Sequence, residues 1–179
     1  MGSTGANWFT ILPAAVVAVA PATVHATVYM NVEQAQSAMF PNQKLAPRFH
    51  QLQPAEIAAI RKASGTAPAS RDLRAWKAPD GGWFLLDGVI GKHEFITYAV
   101  ALTPDGAVRR VEILEYRETY GGEVRNAGWR QQFVGKRFGS PLKLGADIKN
   151  ISGATLSSRH ITDGVRRLLA TWQLLLRNG

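Results

Sequence analysis

The chain has 179 residues, enough for one domain with a sizeable core. Its 46% hydrophobic and 19% charged residues speak against disorder. The absence of cysteine excludes disulfides, iron–sulfur clusters, c-type haem attachment and thiolate zinc sites together. A formal charge of +8 suits an anionic ligand, an acidic partner or a membrane surface. The basic residues come in scattered pairs such as Arg109-Arg110, Lys136-Arg137 and Arg166-Arg167, which argues against nucleic acid.

Residues 1–26 hold no Lys, Arg, Asp or Glu. From Trp8 to Ala22 they are apolar or small apart from Thr10, and they end on Val24-His25-Ala26, a small-x-small ending of the kind signal peptidase cleaves. The run is short of the roughly 20 apolar residues of a membrane span, and Pro13 and Pro21 interrupt it. A cationic start, usual in a signal, is missing. The expectation is a signal peptide at 1–26 and an exported, periplasmic protein, membrane-associated if the segment stays as an anchor.

Val32, Ala35, Ala38 and Met39 recur at helical spacing and stop at Phe40-Pro41-Asn42. A second helix opens on Pro54, carries Ile57 and Ile60, and closes on Gly65. Together these form an N-terminal helical extension over 27–80. Strands follow. Trp83–Ile90 is apolar with interruptions at Asp87 and Gly88; His93–Leu102 alternates Ile96, Tyr98, Val100 and Leu102 on one face, as a half-buried strand does. Thr103-Pro104-Asp105-Gly106 is a turn, and Val108–Tyr116 returns antiparallel. An amphipathic helix runs from about Arg159 to Leu176, with Ile161, Val165, Leu168, Leu169, Trp172, Leu175 and Leu176 as its apolar stripe, and Arg166, Arg167 and Gln173 outside it. Ser157 or Ser158 can cap it. The class expected is α+β: an antiparallel sheet with the C-terminal helix packed on it, residues 81–179 forming the main domain.

Just before that helix stands Ile151-Ser152-Gly153-Ala154-Thr155-Leu156-Ser157-Ser158. Small residues let a ligand approach the backbone, free N–H groups and the helix dipole favour an anion, and four hydroxyls add donors. Taken alone, the segment reads either as a phosphate site or as a Ser-rich capping loop without a ligand.

Ser152-Gly153-Ala154-Thr155, with two serines beyond, resembles the attachment motif of the FMN-binding domain family, which includes the covalent-flavin subunits of sodium-pumping NADH:quinone reductase, their Rnf-type relatives and periplasmic flavin domains. Glu118-Thr119-Tyr120-Gly121-Gly122 resembles the family's Glu-Thr-x-Gly loop near the flavin, and the resemblance covers about residues 81–176. It implies one FMN per chain, joined by a phosphoester to Thr155 by a flavin transferase that takes FMN from FAD. It implies contacts from Ser152, Gly153, Ala154, Leu156, Ser157 and Ser158, and from Glu118, Thr119, Gly121 and Gly122. It further implies an electron carrier serving unidentified redox partners, membrane-bound ones included, more than a stand-alone enzyme. One departure stands out: the family's usual Asp three residues before the motif is Lys149 here, with Asp147 two residues earlier.

His25, His50, His93 and His160 lack metal-binding spacing, so no metal site is expected. His160 reads as a flavin contact or a plain surface residue. Trp129 reads as a core residue or a ring neighbour, and Arg117 and Arg125 as phosphate partners or solvated charges. Tyr98, Tyr116 and Tyr120 read as packing. The alternatives to a covalent electron carrier are a non-covalent FMN protein or flavin-dependent reductase component, and a flavin-free anion-binding module.

Overall fold

The computed structural model describes residues 27–118 and 120–179, so the signal expected at 1–26 lies outside the described residues. Strand β1 (Thr27–Val28) leads into helix α1 (Val32–Met39), whose start is set by a reciprocal cap. The Asn31 side chain accepts from the Gln34 N–H and the Gln34 side chain accepts from the Asn31 N–H, each at 2.8 Å. Two short edge strands, β2 (Ala46–Pro47) and β3 (His50–Gln51), precede helix α2 (Pro54–Ser64). Pro54 opens α2, the Glu56 carboxylate accepts from the Gln53 N–H at 2.7 Å, and Gly65 ends it in the left-handed region. Strands β4 (Asp72–Lys77), β5 (Trp83–Ile90), β6 (Phe95–Leu102) and β7 (Val108–Tyr116) form the antiparallel centre. Short helical turns follow, including α3 (Ala127–Arg130), then helix α4 (Thr155–Thr171), which continues as a π-helical turn to Leu176.

The sheet runs β1-β7-β6-β5-β4-β2, with β3 also paired to β4. The class is the expected α+β, an antiparallel sheet carrying a C-terminal helix. Residues before 81 contribute strands at both edges of this sheet as well as two helices.

One face of β6 behaves as its alternation predicts: Ile96, Tyr98, Val100 and Leu102 join Ile161, Val165, Leu168 and Leu169 of α4 in the larger core. The other face differs from the half-buried expectation. Ala99 and Ala101 are buried too, under Ala35, Met39 and Phe40 around α1. Two alanines carry too little apolar signal to announce a second covered face. Each fully buried Ile or Val in the larger core contributes about 1.5–3 kcal/mol.

Helix α4 corrects two expectations. It begins at Thr155, four residues earlier than expected, so Ser157 and Ser158 lie inside its first turn and do not cap it. Arg167 is buried, not outside the stripe: its Nη2 and Nε reach the Asp87 carboxylate at 2.5 and 3.2 Å, and Tyr98 donates to the same carboxylate at 3.0 Å. Burial first, then the Asp87 charge, pushes the Tyr98 hydroxyl far above an ordinary tyrosine pKa, so it remains a neutral donor. Gly164 permits this approach, because a Cβ there would lie 2.3 Å from the Tyr98 oxygen. Arg166 ties α4 to other elements, donating to the Ser64 carbonyl at 2.8 Å and the Leu142 carbonyl at 2.9 Å.

Asp87→Ala leaves the Arg167 guanidinium buried beside Tyr98 without its counter-charge. The expected loss is about 3–5 kcal/mol of stability, read as a lowered urea midpoint at unchanged m-value.

Candidate functional site

The approach to α4 is built from backbone bonds that fix residue 149. The Trp129 indole N–H donates to the Lys149 carbonyl at 2.7 Å, and the Lys149 N–H donates to the Gln132 side chain at 2.8 Å. Trp129 is itself buried against Phe133, which is the core reading of that residue. A turn follows, closed by the Ala154 N–H on the Ile151 carbonyl at 3.0 Å, with Gly153 at a φ of +82°. Helix α4 then begins without a side-chain cap. The first N–H groups of such a helix have no partner within it and carry the positive end of its dipole, which suits an anion.

The four hydroxyls of this segment separate by burial. Ser152 and Thr155 are exposed, whereas Ser157 and Ser158 are 4% and 0% exposed. Asn150 donates from Nδ2 to Thr155 Oγ1 at 3.0 Å and so holds that hydroxyl in place. Ser157 is engaged: Tyr116 donates its hydroxyl to the Tyr120 carbonyl at 2.5 Å, so the 2.9 Å contact between Ser157 Oγ and the phenol oxygen has the serine as donor. Burial, opposed by the Ser157 bond, lifts the Tyr116 hydroxyl above its usual range and keeps it a donor. Gly121, at a φ of +95°, lets the loop close over this pair, since a Cβ there would stand 2.5 Å from the Tyr116 oxygen.

A cleft of about 460 Å³ opens at this point, within the size range of small-molecule sites. Thr155, Leu156, Ser157, Gly153 and Ala154 line one side, with Glu118, Tyr120, Lys92 and His93 opposite. Six of the twelve expected residues thus share this cleft. Ser152, Ser158, Gly121, Gly122 and His160 do not line the cleft, and Thr119 lies outside the described residues. His160 turns its Nδ1 to the Ile90 and Gly91 carbonyls at 2.5 and 3.0 Å, acting there as a donor. Glu118 accepts from the His93 and Glu94 N–H groups at 2.5 and 2.9 Å, so its carboxylate shapes the β5–β6 turn that walls the cleft. Arg125 stacks on Tyr29 and Arg117 pairs with Glu115 at 2.9 Å. Tyr120, expected to pack, is 83% exposed.

Asp147 is committed elsewhere. Its carboxylate accepts from Lys136 at 2.9 Å and from the Leu142 and Lys143 N–H groups at 3.1 and 2.7 Å, closing a separate turn. Lys149 is exposed at the family's usual Asp position. Sequence reasoning passed over Lys92 and Asn150; neither stands in a period or motif, and only the β5–β6 turn brings Lys92 to the cleft and only the loop before α4 brings Asn150 to the Thr155 hydroxyl. Among the described residues no three His, Asp or Glu side chains converge as a metal group.

Residues 91–170 match the family model of the FMN-binding domain. That stretch runs from the β5–β6 turn into α4, and it belongs to the FMN-binding domain family. The protein is an FMN-binding flavoprotein, and FMN is its cofactor. No curated protein matches the chain. The residues present suit the phosphate end of FMN: an uncapped helix start, an exposed and oriented Thr155 hydroxyl, and Lys92 across the cleft.

Burial pushes the Glu118 carboxyl up, but the N–H groups of Glu94, His93 and Lys92 together outweigh it and hold the group below its usual value. A carboxylate depressed on folding stabilises fully above its unfolded pKa of about 4.3 and loses that contribution as pH falls through the lower folded value. Amide exchange at residues 92–94 should therefore accelerate relative to the rest of the chain below that pH. In Glu118→Gln the same amides should be less protected already at pH 7, with no such acid step.

Proposed function

We propose that the protein is an exported electron carrier whose FMN is joined through its phosphate to Oγ1 of Thr155. The observation that carries this reading is the division of the hydroxyls. Thr155 alone is exposed, oriented by a neighbour and part of the cleft lining, while Ser157 and Ser158 are buried and Ser152 lies off the lining. Attachment by a flavin transferase balances simply. The Thr155 hydroxyl loses its proton and forms the new phosphorus–oxygen bond, and AMP leaves from FAD as the pyrophosphate bond breaks. Bound FMN supplies electron uptake and release; the chain supplies the tether, the walls and the field. An ester at the phosphate holds the cofactor without touching its redox ring, which matters in a compartment where lost FMN is not replaced. Among the described residues lining the cleft, Glu118 and His93 are the candidate acid–base pair, and the backbone-held Glu118 suits a wall more than a proton donor. That favours a carrier over an enzyme acting on an organic substrate.

A second reading has its own observation. Lys149 stands at the family's usual carboxylate position, and Asp147 is occupied by a different turn. If the transferase requires that carboxylate, FMN is held in the same cleft without the ester.

Coexpression with a flavin transferase should raise the intact mass by one esterified FMN and leave a fluorescent band after denaturing electrophoresis. Thr155→Ala should lose both, and Thr155→Ser should keep both. A denatured chain of bare polypeptide mass, with FMN recovered only from the native protein, selects the second reading. Asn150→Ala should slow attachment without abolishing it, measured as the labelled fraction over time. Export with cleavage after Ala26 predicts that the mature chain begins at Thr27, as read by N-terminal sequencing.

A further inference from the structure

We infer that the isoalloxazine ring of FMN rests on the phenol of Tyr120, with Leu156 closing the slot from helix α4. This placement rests on the reading of the Thr155 cleft as the FMN site and holds with or without the ester.

Packing does not explain Tyr120. Its ring is 83% exposed and joins none of the aromatic pairs among the described residues. It occupies the x position of the Glu118-Thr119-Tyr120-Gly121 loop, so the motif does not specify it. Exposure alone does not mark it either, since Phe49, Phe95 and Phe138 are also exposed. Position distinguishes it. Of these rings only Tyr120 lines the cleft of Thr155, together with the exposed Leu156. Large apolar surface left open in a cleft is unfavourably hydrated until something flat covers it.

The loop holds the base of this ring in place. Tyr116 donates its hydroxyl to the Tyr120 carbonyl at 2.5 Å and accepts from Ser157 at 2.9 Å. Ser157 lies in the first turn of α4, so the main chain at residue 120 is tied to the helix start that presents Thr155. Gly121 permits the closure, because a Cβ there would stand 2.5 Å from the Tyr116 oxygen and 3.2 Å from Ser157 Oγ. These bonds engage the main chain of residue 120 and leave its side chain to the cleft.

FMN has two chemically different ends. The phosphate suits the uncapped start of α4, the Thr155 hydroxyl and Lys92. The ring is flat and largely apolar, and the ribityl chain gives it reach from the phosphate. Among the lining residues Lys92, His93 and Glu118 are polar and Gly153, Ala154 and Ser157 are small, so Tyr120 and Leu156 supply the broad apolar surface. A second hollow of about 540 Å³ connects to Thr155 through Asn150, but its one aromatic side chain is committed. Trp129 there is buried against Phe133, with its indole N–H on the Lys149 carbonyl.

Contact has two measurable consequences. An excited flavin takes an electron from a touching phenol and returns it without emitting light, so the native protein is dim. The negative face of the phenol also opposes the electron density of the reduced ring, which lowers its potential.

The test uses the full chain coexpressed with the transferase and freed of unbound FMN, with intact mass recording the attached fraction. Wild-type flavin should be dim in the native protein and brighten several-fold on denaturation. Tyr120→Leu should already be bright in the native state, by a similar factor, and its midpoint potential should rise. Tyr120→Trp should stay dim. All of these variants keep the two bonds that close the loop, since neither uses the side chain of residue 120. A native Tyr120→Leu as dim as wild type, or one with an unmoved potential, overturns the inference. Dimness released instead by Trp129→Phe also overturns it, by placing the ring in the second hollow. Failure of the ester is read separately: a chain of bare polypeptide mass that retains FMN while native still gives both optical readouts. A wild-type protein that retains no flavin overturns this inference along with the FMN cleft itself.

Discussion

The closing helix is locked to the sheet by a charge buried among apolar side chains. Arg167 of α4 meets Asp87 of β5, and Tyr98 of β6 donates to the same carboxylate. Hydrophobic burial alone would tolerate small rotations of a helix whose stripe is Ile, Val and Leu, because such contacts have little direction. A guanidinium on a buried carboxylate tolerates far less, since any turn leaves a charge unpaired. Gly164 brings the helix near enough for the lock to close.

The phase of α4 decides which hydroxyls face the cleft. Ser157 lies four residues before Ile161 and Ser158 seven before Val165, so both fall on the buried stripe, whereas Thr155 falls off it at the open first turn. One rotational setting therefore buries two hydroxyls and presents a third. The opposite wall is set by a similar economy of backbone bonds, with Glu118 and His160 holding the β5–β6 turn from two sides. The cleft is shaped by groups whose work is local and structural, which leaves Thr155 as its chemically distinct member.

Much of this was legible in advance for definite reasons. Helix α2 was readable to the residue because proline opens it and glycine closes it, each through its own backbone restriction. The β6–β7 hairpin was readable because a two-residue period flanks a Pro-Asp-Gly turn. The start of α4 was misread because serines make good caps, and that preference outweighed the apolar stripe, which extended back by one turn reaches 157 and 158. Arg167 was misread because an arginine beside another arginine at the margin of a stripe looks solvated; its partner Asp87 is 80 residues away in the chain. The second covered face of β6 was hidden behind two alanines.

The sequence by itself determined the element types, the antiparallel hairpin and the family of the site, because these depend on local periodicity, turn chemistry and a short contiguous motif. Only the tertiary structure decided which hydroxyl is presented, that Asp147 is spent on another turn, that Asn150 bonds the Thr155 hydroxyl, and that Lys92 lines the same cleft. Those outcomes depend on helix phase and strand register, which are fixed by contacts between residues far apart in the chain and leave no mark on any one stretch of it.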